Sequence, residues 1–100
     1  MKESRVEEIL VKSVQAEDGL CWKWTSPGRR GLPDRVVLLP VPPEHREIVA
    51  KYVRFVETKQ FGKGPTKQQQ HVHGLMRGRG YQVDVVPTAD MAREYLKGGK

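Results

Sequence analysis

The run Asp34-Arg35-Val36-Val37-Leu38-Leu39 is boxed in by prolines, with Pro33 before it and Pro40, Pro42 and Pro43 behind it. A β-branched run bounded in this way reads as a short strand, because proline cannot donate to a ladder and ends it. Residues 20–25, rich in Trp, form a second short strand that gives way to the basic turn Ser26-Pro27-Gly28-Arg29-Arg30-Gly31. Residues 52–58 and 81–86 supply two more, each with near-alternating polarity.

Helical periodicity fills the spaces between. Val6, Ile9, Leu10 and Val14 recur at helical spacing over residues 4–15, with Ser4 and Glu7 placed for a capping box and Asp18-Gly19 as the stop. Residues 44–50 suit a short helix after Pro43. Gly62-Lys63-Gly64-Pro65 is a turn. Thr66 then opens a helix that carries Val72, Leu75 and Met76 and closes at Gly78 or Gly80. Thr88 caps a last helix with Met91, Ala92, Tyr95 and Leu96 on its inward side. The order α-β-β-β-α-β-α predicts an α/β fold, a central sheet covered by helices. A chain of 100 residues predicts one domain over residues 1–97, with a frayed tail at 98–100.

Charge narrows the function classes. Eighteen Lys+Arg against twelve Asp+Glu give a formal net charge of +6 and a pI near 9.7, which favours polyanionic partners through counterion release. No apolar run reaches the ~20 residues of a membrane span. The first ten residues lack the apolar stretch of a signal peptide, and Cys21 is the sole cysteine, so the expected compartment is the cytoplasm.

Glu57 and Lys59 lie two apart on a strand, so both side chains leave the same face. A carboxylate beside an ammonium suits a hydrolase: the first holds a hard cation, and the second orients or activates water. An E-x-K pair alone is weak, since a chain of this length offers roughly 0.4 of them by chance. Asp34 strengthens the case, because Pro33 fixes the turn and Gly31 lets the backbone bend, starting a strand expected near that of Glu57. Of Glu7 and Glu8, only Glu7 lies beside the apolar face of its helix, and it either caps Ser4 or looks toward a metal. Gln68 and Gln69 flank the Val72/Met76 face from opposite edges, so periodicity does not choose between them. Thr66-x-x-Gln69 is also a capping box. Arg29 and Arg30, extended by Lys63 and Lys67, suit phosphate oxygens. His71 and His73, two apart on a helix, point to different sides and are no zinc pair. Trp22 and Trp24 share one strand face and read as core or interface.

Together these segments resemble the VRR-NUC family, within the PD-(D/E)xK nuclease superfamily. The resemblance is carried by Val6-Glu7, by Lys23 and Pro27-Gly28-Arg29-Arg30-Gly31-Leu32-Pro33-Asp34-Arg35, by Val36 to Pro40, by Phe55-Val56-Glu57-Thr58-Lys59, and by Gln69 followed by Gly80-Tyr81-Gln82-Val83. It implies a restriction-endonuclease-like αβββαβ core, with a mixed central sheet flanked by helices and an extra C-terminal helix. It also implies a catalytic set of Asp34, Glu57, Lys59 and Gln69. The implied Mg2+ or Mn2+ ligands are Glu7, Asp34, Glu57 and the Thr58 main-chain carbonyl. Lys23, Ser26, Arg29, Arg30, Lys63 and Lys67 are the expected DNA contacts. Short members of this kind look like phage homodimers that cut branched DNA such as four-way junctions, in the host cytoplasm. The competing readings are a monomeric flap or single-strand nuclease and a non-catalytic DNA-binding module. Residues 41–51, between the two motif strands, are longer than the tight hairpin expected there.

Overall fold

The computed structural model describes residues 2–25, 28–59 and 63–97. Its elements run α1 (Glu3–Ala16), β1 (Leu20–Lys23), β2 (Arg35–Leu38), a 3-10 turn (Pro43–His45), α2 (Arg46–Tyr52), β3 (Arg54–Thr58), α3 (Lys67–Gly78), β4 (Gln82–Val86) and α4 (Ala89–Glu94). The order is the expected αβββαβ with a further helix at its end, and α2 occupies the long connection before β3. No helix among the described residues is long and apolar enough to cross a membrane. The chain divides into two compact units, Met1–Pro42 and Pro43–Lys100. The expected mixture of strand directions is present as one two-stranded ladder in each unit.

In the first unit β1 and β2 pair antiparallel, with Leu20 opposite Leu38 and Lys23 opposite Arg35. The Trp24 amide donates to the Asp34 carbonyl at 2.9 Å, which carries the pairing one step further. Val14, Leu20, Cys21, Leu38 and Val41 are buried. The turn from α1 into β1 is tight: Asp18 takes a positive φ of 58°, and the Gly19 amide donates back to the Val14 carbonyl at 3.0 Å. A Cβ on Gly19 would stand 2.8 Å from Val14 Cγ1, 2.9 Å from Leu39 Cδ2 and 3.1 Å from the Leu38 carbonyl oxygen. Glycine is required there by space, and the neighbouring aspartate takes the left-handed conformation.

Two expectations for α1 are corrected. The helix starts one turn-position early, with Lys2 as its N-cap and no side-chain cap. Ser4 is therefore inside the helix, no capping box forms with Glu7, and the Glu7 carboxylate faces Arg35 at 3.3 Å. Of the apolar stripe only Val14 is buried; Val6, Ile9 and Leu10 are exposed.

The second unit is built on a β3-α3-β4 crossover. Its strands are parallel, with Arg54 opposite Gln82 and Thr58 opposite Val86, and a parallel pair needs such a connecting segment. Val83, Val86, Met76 and His73 are buried, and Phe55 meets Tyr81 edge to face at 6.1 Å. Thr66 and Gln69 form the expected capping box at the start of α3. The chain leaves α3 through Gly80, whose φ of 95° is readily available to glycine.

The expected strand over residues 52–58 loses its first two residues. Tyr52 ends α2 at 80% exposure, because the helix of the connection runs on to meet the strand. Thr88 caps α4 as expected, accepting from the Met91 amide at 3.1 Å. The inward stripe predicted for α4 does not form, since six residues are too few to make one. Met91 and Leu96 are exposed, as is Ala92. Tyr95 is half-buried and donates its hydroxyl hydrogen to Asp84 Oδ2 at 2.5 Å. The guanidinium of Arg54 lies over its ring, 5.4 Å from the centroid.

Two predictions follow from these packing details. Gly19→Ala should lose about 1–3 kcal/mol of stability by crowding, read from the urea midpoint at unchanged m-value. Burial, and then the hydrogen bond to Asp84, raise the Tyr95 pKa above that of an ordinary tyrosine. A raised pKa means the stabilisation is present below the unfolded value of about 10 and is lost as pH rises through the higher folded value. Between those two values the wild type should lose stability more steeply with pH than Tyr95→Phe, and an ultraviolet titration should show Tyr95 ionising later than an ordinary tyrosine.

Candidate functional site

Each unit gathers part of the predicted set. In the first, the i, i+4 spacing on α1 puts Glu3 and Glu7 on one helix face. Asp34 is delivered by the turn before β2, where Gly31 has a φ of 82°. One carboxylate oxygen from each of Glu3, Glu7 and Asp34 lies within 4.8 Å of the other two. Glu7 is half-buried, while Glu3 and Asp34 are exposed. Such a cluster offers only oxygen donors and carries negative charge that a cation offsets, so its chemistry fits a hard divalent ion.

Arg35 stands beneath this cluster. Its Nη2 is 3.3 Å from Glu7 Oε2 and its Nη1 is 3.4 Å from the Cys21 carbonyl, while its Nε is buried with no hydrogen-bond partner among the described residues. It fixes Glu7 in place and leaves the other carboxylates unneutralised. Glu8, as expected from its position on the helix, points elsewhere and pairs with Arg5 and Lys12 on the exposed side. Glu3 escaped the sequence reading, although its place four residues before Glu7 was a signal for it.

The second unit assembles Glu57, Lys59 and Gln69. Glu57 near the end of β3 and Lys59 one residue past it, whose amide still donates to the Val86 carbonyl at 3.3 Å, lie together, with Lys59 Nζ 3.8 Å from Glu57 Oε2. Lys59 Nζ also donates to Gln69 Oε1 at 2.5 Å. The same oxygen accepts the Thr66 amide at 3.0 Å, so Gln69 caps its helix and holds the lysine at once. The ambiguity among the glutamines ends here, because Gln69 is half-buried whereas Gln68 and Gln70 are exposed.

His73 joins the group. Its side chain is 8% exposed and its Nε2 lies 3.5 Å from Glu57 Oε1. His71 is exposed, so the two histidines do face different ways. The four-residue step from Gln69 to His73 was the signal that could have placed His73 near the motif lysine and glutamate.

Thr58 is exposed on the opposite side of β3 from Glu57. Lys23, Arg29, Arg30, Lys63 and Lys67 are all exposed, and Ser26 lies outside the described residues. Trp22 is half-buried and Trp24 is 47% exposed, which leaves the outer end of β1 with an aromatic face.

Comparison with known proteins gives two matches. The chain is 37% identical over 92 residues, 92% of its own length and 89% of the relative's, to "Putative nuclease p44" of Acyrthosiphon pisum secondary endosymbiont phage 1. A solved structure described as a VRR_NUC domain aligns over 98% of this chain and 97% of its own, at 28% identity and a TM-score of 0.46. No family model matches the chain.

Proposed function

This chain belongs to the VRR-NUC family of nucleases and is 37% identical to a phage protein described as a putative nuclease, and we propose that it is a divalent-metal-dependent DNA endonuclease. The observation that carries this reading is the half-buried ammonium of Lys59, held between the Glu57 carboxylate at 3.8 Å and the Gln69 amide oxygen at 2.5 Å. A lysine fixed in this way is aimed before substrate arrives, which is what electrostatic catalysis needs.

Glu7, Asp34 and Glu57, with the Thr58 carbonyl, are the proposed ligands of Mg2+ or Mn2+. The oxygen-only cluster of Glu7 and Asp34 with Glu3 supports that choice of ion. Such an ion supplies Lewis acidity toward the scissile phosphate and acidifies the attacking water. The rest of the work falls to side chains. Lys59 sets its positive charge against the negative charge that builds on the phosphoryl oxygens during attack. Gln69 keeps the ammonium from swinging away. Arg35 holds the Glu7 carboxylate still. Arg29 and Arg30, with Lys23, Ser26, Lys63 and Lys67, grip the phosphates on either side of the cut; their contacts carry affinity and register without reading bases.

The proposed substrate is branched DNA of the four-way type, cut in the host cytoplasm. One chain makes one incision, so symmetric cutting of a junction requires two copies related by a two-fold axis. The proposal therefore includes a homodimer.

Cleavage of linear, flap and four-way DNA, measured with Mg2+ and with excess chelator, tests this directly. Activity should vanish with chelator and favour the four-way substrate, at a solution mass of two chains. Lys59→Ala should lower the rate by about 10²–10³-fold, and Glu57→Ala and Asp34→Asn by at least as much, with folding retained. Equal rates on all substrates from a monomer would point to a flap or single-strand nuclease. Binding with no cutting under any metal would point to a DNA-binding module. Separately, Arg29→Ala with Arg30→Ala should reduce the slope of log K against log salt by roughly 2, at about 0.9 per phosphate contact on duplex DNA. Metal-free binding titrations at several salt concentrations measure that slope.

A further inference from the structure

We propose that His73 is a positioning residue for Glu57, holding the carboxylate in its metal-receiving orientation through an Nε2–H directed at Oε1; this rests on the ligand role proposed above for Glu57. His73 is the one buried polar or charged residue among those described, at 7% exposure. Burying an imidazole without a polar partner is unfavourable, and the group it faces is Glu57 Oε1, 3.5 Å away. That separation is long for a hydrogen bond. Contacts of this kind commonly tighten when a site is loaded.

The two oxygens of Glu57 are thereby claimed by different elements. Oε2 lies 3.8 Å from Lys59, just past the end of β3, and Oε1 lies 3.5 Å from His73 on α3. The terminal torsion of a glutamate is broad and nearly two-fold, so a single contact leaves the carboxylate free to turn. Two contacts on opposite oxygens fix its plane. Gln69 and His73 stand one helical turn apart, so α3 presses on the E-x-K pair twice, with Gln69 on the lysine and His73 on the glutamate. For this contact to close into a hydrogen bond the imidazole nitrogen has to be the donor, because an ionised carboxylate only accepts, and that puts the hydrogen on Nε2. Partners that orient a metal ligand in this way typically matter by about 10–100-fold in metal affinity.

The test is calorimetric titration of the full chain with Mn2+, without DNA, for the wild type, Glu57→Gln, His73→Leu, His73→Gln and the Glu57→Gln/His73→Leu pair, with thermal unfolding run on each. His73→Leu should bind Mn2+ at least about 10-fold more weakly at a melting temperature near that of the wild type. His73→Gln, which keeps an N–H donor, should recover most of the affinity. In the Glu57→Gln background the leucine change should cost nothing more, because its effect runs through Glu57. A loss of equal size in both backgrounds, or wild-type affinity in a folded His73→Leu, would overturn the proposal and leave the ligand role of Glu57 standing. Unchanged affinity in Glu57→Gln alone would overturn that role, and this inference with it. Should His73→Leu fail to fold, the imidazole 15N spectrum of the wild type decides. The Nε2–H tautomer, with a resonance that moves in Glu57→Gln, is the expected result; the Nδ1–H tautomer would refute the assignment.

Discussion

Carboxylates brought close together repel one another, and that repulsion is the constraint around which the functional residues are arranged. Glu3, Glu7 and Asp34 share a space of 4.8 Å, where like charges at such range oppose the fold unless something offsets them. Arg35 attends to Glu7 alone. On the other unit Glu57 is flanked by Lys59 and His73. Each of Glu7, Asp34 and Glu57 is either held by a nitrogen or crowded by another acid, an arrangement whose negative charge a cation would offset. The exposed Arg29, Arg30, Lys23, Lys63 and Lys67 add charge of the opposite sign, suited to a phosphate backbone.

The local folding rules serve this arrangement at both ends. Gly19 lets the chain leave α1 and enter β1 within hydrogen-bonding reach of Val14, so that the β1–β2 ladder starts in a fixed register. That ladder ends where the Trp24 amide meets the Asp34 carbonyl, which fixes the backbone of the very residue whose carboxylate joins the acidic cluster. In the second unit the parallel β3–β4 pairing requires a crossover, and the crossover helix is the one that carries Gln69 and His73. Its capping box ties the helix start to Lys59, the residue that follows β3.

Much of this was legible in the residues. Proline and glycine punctuation gave the strands and their order, and threonines at 66 and 88 gave two helix starts that the fold contains as expected. The failures share a cause. Ser4 and Glu7 satisfied a local capping pattern, but Arg35, 28 residues away in sequence, was a stronger partner for the glutamate than a backbone amide. Tyr52 alternated as a strand residue should, yet the helix of the preceding connection absorbed it. Met91 and Leu96 fitted a helical stripe whose helix ended too soon to bury them. Glu3 and His73 were missed although each sits four residues from a motif residue on the same helix. Periodicity had been used to find apolar faces, and the same spacing also groups polar side chains.

The capping box at α3 has a selective consequence. Helix starts of this type accept glutamine or glutamate equally well at the third position. Here the side-chain oxygen of that residue also receives the ammonium of Lys59. A glutamate at 69 would cap the helix just as effectively, but its full negative charge would bind the lysine as an ion pair, in addition to the Glu57 carboxylate already 3.8 Å away. The neutral amide holds the lysine's position without adding a second carboxylate beside it, so the lysine contact discriminates at position 69 between two residues that helix formation treats as the same.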